Sequence, residues 1–99
     1  MFESIANKEI RGYVLKVAKI SYPRPIGSNV IDVFLVDAGM QQSLTQIEGH
    51  LRYLEEREYV KCKKSQLEVT GTPIALVTLT ARGIDLLEKT ISDPGVHVR

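Results

Sequence analysis

Gln42, Thr45, Gln46, Gly49, Arg52 and Tyr53 fall within one short stretch, and their types suit contact with nucleic-acid base edges. A glutamine can pair with adenine, and an arginine with guanine, through two hydrogen bonds, because donors and acceptors match those edges. Gly49 would let a phosphate or a base edge approach closely. A basic set follows in Lys61, Lys63 and Lys64, with Gln66 and the tip Thr70-Gly71-Thr72. Such residues grip the sugar-phosphate backbone, which sets register and affinity without reading sequence. Each set also has a plainer reading. Glu48, Glu55, Glu56 and Glu58 make residues 43–58 net acidic, as a solvated helix face would be. Lysines on a strand equally protect the exposed edge of a small sheet.

Other chemistries find less support. His50, His97 and Cys62 are the only soft metal ligands, and none has a partner at a ligand spacing such as C-x-x-C. Cys62 is expected as a small core residue and His50 on the flank of its helix. There is no Gly-rich phosphate loop, since Thr70-Gly71-Thr72-Pro73 carries a single turn glycine. No Ser-His-Asp or paired-carboxylate arrangement stands out, so neither an enzyme nor a cofactor is expected. Lys8, Arg11, Lys16 and Lys19, with Arg24 after them, read first as solubilising charges and second as phosphate contacts. Arg82 reads as a surface residue.

Thirteen Lys and Arg against twelve Asp and Glu leave a formal net charge of +1, which tells against attachment to nucleic acid by bulk charge. The 99 residues, 43% hydrophobic, fit a single domain, 1–99, with one core. The apolar run Val33–Val36 is far short of the roughly 20 residues a membrane helix needs. Met1-Phe2-Glu3 offers no basic leader. A soluble, cytoplasmic protein is the expectation.

The elements that must position these residues are legible from periodicity. Ile10, Tyr13, Val14, Val17 and Ile20 recur at helical spacing and predict an amphipathic helix over 4–20. Tyr22-Pro23-Arg24-Pro25 stops it. Residues 27–38 read either as a β-branched strand or as a short helix. A cap at Ser28 or Asn29 and the glycine at position 39 favour the helix. Residues 43–57 predict a helix capped by Ser43 with Gln46 as its capping-box partner. Leu44, Ile47, Leu51 and Leu54 form its apolar face, and Thr45, Gly49, Arg52 and Glu56 point the other way. Strands are predicted over 59–67 and 74–79, joined as a hairpin. Thr80 caps a last helix over 81–91, and Asp93-Pro94-Gly95 begins an irregular tail, 93–99.

The order is that of an α+β, mostly helical winged helix-turn-helix: three helices, a two-stranded wing hairpin and a C-terminal helix. "SLTQIEGHLRYLEEREYVKCK" resembles the recognition helix and first wing strand of MarR- and ArsR-type bacterial regulators. "VTLTARGIDLLEKT" resembles their return strand and closing helix, and with "DPGV" the chain is similar to small winged-helix proteins encoded by Mu-like prophages. The resemblance spans about residues 8–96. It implies a regulator or accessory factor on double-stranded DNA, with the third helix presenting residues 42, 45, 46, 49, 52 and 53 to the major groove. It also implies a homodimer, for which the first and last helices are the natural surface. The third helix is less basic than is usual in these families, which leaves a protein-interaction module as the alternative. A metal sensor of the ArsR kind would need a thiolate cluster that this chain lacks.

Overall fold

The computed structural model describes residues 2–99, with side chains from residue 6 onward. Its elements are α1 (Phe2–Ser21), β1 (Ile26–Gly27), α2 (Ser28–Asp37), α3 (Leu44–Glu56), β2 (Val60–Gln66), β3 (Pro73–Leu79) and α4 (Ala81–Leu87). Together they make a small compact α+β domain with four helices and a three-stranded antiparallel sheet in the order β1-β3-β2. The radius of gyration, 12.8 Å, is that of a compact chain of this length.

The helix α1 runs through the middle, in contact with α2, α3, α4 and β3. That surround explains why its buried arc is wider than the spacing predicts. Ile10, Val14 and Val17 are buried as expected, and so are Leu15 and Ala18, whereas Ile20, at the end of the helix, is exposed. Against α1 pack Ile31 and Leu35 from α2, Ile47, Leu51 and Leu54 from α3, and Val60, Val77 and Leu79 from the sheet, in a single core.

Residues 28–37 resolve as helix, and their cap differs from expectation. Gly27 is the N-cap and offers no side-chain bond. The Ser28 hydroxyl instead accepts the Ala75 N–H at 2.9 Å, so α2 is tied to β3 where β1 ends. β1 itself was not predicted, because two residues show no alternation; it pairs Ile26 with Val77.

Three helices end in one way. In α2, α3 and α4 the residue after the C-cap adopts a left-handed φ: Gly39 at 75°, Glu58 at 66° and Lys89 at 63°. In each, paired hydrogen bonds close the last turn, as in Met40 N to Leu35 O, Tyr59 N to Leu54 O and Thr90 N to Asp85 O. This capping stops α4 at Leu87, four residues before the expected Ile91. Only the first of the three uses the glycine that marks such a stop in sequence.

The hairpin lies close to its predicted place, with Val60 opposite Leu79 and Gln66 opposite Pro73. The tail has no regular structure, yet it is docked. Asp93 and Val96 are buried, and the His97 N–H donates to the Lys8 carbonyl at 3.0 Å. The tail crosses α1 at Gly12, where a Cβ would sit 1.9 Å from the His97 carbonyl oxygen. Only glycine admits that crossing. Among the described residues, no helix is long and apolar enough to cross a membrane.

Candidate nucleic-acid interface

The capping box predicted at the start of α3 is present. Ser43 Oγ accepts the Gln46 N–H at 3.2 Å, and Gln46 Oε1 accepts the Ser43 N–H at 2.9 Å. Such reciprocal bonds satisfy two amides that the helix leaves open and hold its entry angle. They also engage one lone pair of Gln46 Oε1, leaving its amide NH2 unengaged for an outside partner.

Thr45, Gly49 and Arg52 lie exposed on one stripe of the helix. A Cβ built on Gly49 meets nothing within 4 Å, so the surface there is open. Glu48 and Glu56 share the exposed side. Leu44, expected in the core, is 69% exposed at the start of the helix. The buried side belongs instead to Ile47, Leu51, Leu54 and His50.

Two residues of the outward set turn inward. The Tyr53 ring is half-buried, with the Arg11 guanidinium 3.8 Å and the Arg57 guanidinium 4.5 Å from its centroid. It also closes over Gly95 of the tail, where a Cβ would clash with its hydroxyl. Gln42 is half-buried too. Its amide donates to the Gln41 carbonyl at 3.0 Å, and its Oε1 lies 3.3 Å from His50 Nε2.

His50 is the centre of this arrangement and not a flank residue, being only 7% exposed. Arg11 Nε–H donates to His50 Nδ1 at 3.3 Å. That bond requires the neutral ring with its proton on Nε2, which then donates to Gln42. Burial, and secondly the Arg11 charge, lower the His50 pKa below its ordinary value. Arg11 also donates to the Gly95 carbonyl at 3.1 Å. Arg11 is therefore a structural hub, joining α1, α3 and the tail, and not a solubilising charge.

A second cluster anchors the tail. Arg57 reaches both oxygens of Asp93, at 3.0 and 2.9 Å, and the Tyr59 hydroxyl donates to Asp93 at 2.6 Å. Burial alone would raise the Asp93 pKa, but bonds from Tyr59, the Gly95 N–H and Arg57 outweigh it and lower it. Arg82 belongs to the same corner: its Nε–H donates to the Arg57 carbonyl at 3.2 Å and it stacks over Tyr59 at 5.3 Å. Sequence offered no sign of these contacts, since their partners lie far apart along the chain.

On the hairpin, Lys61, Lys63 and Lys64 are exposed, opposite Thr78, Leu76 and Ala75. Cys62 faces inward and packs against the core as expected. Burial, and secondly Glu55, push its thiol up to about 11, so it stays protonated and unreactive at neutral pH. At the turn the Thr70 and Thr72 hydroxyls bond each other at 2.7 Å. Gly71 has a φ of 70°. Val69, absent from the sequence-based set, stands at the tip 97% exposed.

Glu55 has a specific place. Its carboxylate accepts the Cys62 N–H at 2.8 Å on the free edge of β2. This bond ties α3 to the hairpin and removes one glutamate from the acidic outward face. What the structure brings together is therefore Thr45, Gly49 and Arg52 on one helix, tied through Glu55 to a strand carrying three exposed lysines.

Among the described residues no three His, Cys, Asp or Glu side chains converge as a metal site would require. Comparison with protein-family models, with curated proteins and with solved structures finds no match to this chain.

Proposed function

We propose that this chain is a winged-helix domain that binds double-stranded DNA as a transcriptional regulator or accessory factor. In this reading α3 enters the major groove, with Arg52 and Thr45 facing base edges across the opening at Gly49. The β2–β3 hairpin is the wing, and Lys61, Lys63 and Lys64 hold the neighbouring phosphates. The observation that carries the reading is the Glu55–Cys62 tie, which fixes an open polar helix stripe to a lysine-bearing strand. Tyr53 and Gln42 support the helix from behind, and Gln46, whose oxygen is engaged in the cap, offers its NH2 group.

The experiment is binding to random duplex DNA at rising salt, for the parent and for a variant with Lys61, Lys63 and Lys64 changed to alanine. Phosphate contact makes affinity fall with salt, by a slope of about 0.9 per contact. The parent should bind with a clear slope and the variant with a shallower one. No salt-dependent binding by the parent would sink the proposal.

A second reading is a winged-helix module that contacts protein. It is favoured by the outer side of α2, where Val30, Val33 and Val36 are exposed together. The first and last helices, the surface expected for a homodimer, pack on each other within the chain.

A further inference from the structure

A cleft of about 400 Å³ opens between α1, the end of α2 and the tail, away from the α3 stripe and the hairpin. Its volume lies in the range of small-ligand sites. Tyr13, Ala38 and Met40 give it apolar walls, with Lys16 on one side and Glu9 and Arg99 on the other. Glu9 and Lys16 are separated by two turns of α1, roughly 10 Å along the axis. The lining therefore spans about two turns of α1, with apolar side chains between charged ends and His97 beside them.

Its charges are not balanced. Arg99 Nη2 lies 2.7 Å from Glu9 Oε1, so that pair neutralises itself within the wall. Among the described residues, Lys16 is the only lysine or arginine of the cleft with no carboxylate within 4 Å. The Tyr13 hydroxyl is directed to the Phe34 carbonyl, at 3.4 Å. An occupant thus meets one unanswered cation and an elongated apolar wall. A cationic ligand would be repelled by Lys16, and a flat compact ring would leave part of the length unfilled.

We propose that this cleft binds a linear alkanoate, with the carboxylate at Lys16 and the chain lying over Tyr13 and Met40 toward the Glu9–Arg99 pair. Neither DNA nor α3 enters the proposal, so it stands apart from the reading given above.

The test is a titration of the full chain, labelled at its methionine and alanine methyl groups, with butyrate, hexanoate and octanoate, followed by NMR. Octylamine and benzoate serve as comparison ligands. The resonances of Met40 and Ala38 should shift, and each added methylene should tighten binding about 3- to 4-fold. Lys16→Gln should weaken octanoate about 5- to 10-fold without altering the methylene increment. Ala38→Phe, at an exposed position, should abolish the shift at Met40 while the remaining spectrum reports an intact fold. Octylamine binding as tightly as octanoate, benzoate binding more tightly than hexanoate, or shifts centred outside the cleft would each overturn the proposal. So would the absence of any shift at Met40 or Ala38.

Discussion

At the scale of the residue, the least expected finding is how much structure depends on His50. One ring joins the turn before α3, through Gln42, to α1, through Arg11. The bonding works only while His50 is neutral, since a second ring proton would face the Arg11 N–H. Because the folded pKa is lowered, the stabilising effect is complete above the unfolded value of about 6.5. It is lost as pH falls through the folded value, where the unfolded state binds the proton more readily. Urea unfolding between neutral and mildly acidic pH should show stability declining over that window. His50→Gln keeps a polar side chain that cannot charge there, and should flatten the decline. An equally steep fall in the variant would assign the effect to another group; Asp93, whose lowered pKa places its own loss in more acidic solution, would not account for it. Nothing in sequence pointed to this role, because a histidine's partners come from distant segments.

Among the elements, the helices were largely legible and their ends were not. The periodicity of 43–57 and its capping box translate directly into α3, because both are local features. The stop of α4 was missed because Lys89, not a glycine, takes the left-handed position. Glu58 does the same after α3, and a left-handed non-glycine residue carries a steric cost of about 1 kcal/mol. Glu58→Gly should therefore stabilise the domain by about 0.5 kcal/mol, once the added freedom of the unfolded chain is offset. Thermal unfolding would register it, and a loss of stability would mean that the Glu58 side chain contributes more than its backbone costs. Within α3, Gly49 makes the sharper case. A Cβ there touches nothing, so Gly49→Ala should stabilise the helix by roughly 1 kcal/mol. If α3 lies in a groove, the same methyl should weaken DNA binding. Greater stability with unchanged DNA affinity would show that the glycine is not a point of close approach.

On the scale of the whole molecule, the near-neutral total charge conceals an uneven distribution. Arg57 is committed to Asp93, and Arg99 to Glu9; Arg11 and Arg82 bind within the fold. Among the described residues, Lys61, Lys63, Lys64 and Arg52 make no ion pair and are exposed, as are Glu48 and Glu56. Sequence could supply the count of charges, but only the packed chain separates those held internally from those left exposed. That division yields different expectations for the two sets. If Lys61, Lys63 and Lys64 each meet a phosphate, losing all of them should flatten the salt slope by about 2.7, as the per-contact slope requires. About a fourfold rise in salt would then cost the parent roughly 40-fold more affinity than the variant. The loss should be the same on every duplex. Arg52→Ala should behave otherwise, costing about 1–3 kcal/mol on a preferred sequence selected from a random pool and much less on an unrelated one. A uniform loss from Arg52→Ala would place that guanidinium on the backbone, leaving Thr45 and the Gln46 amide as the only base readers of the original set.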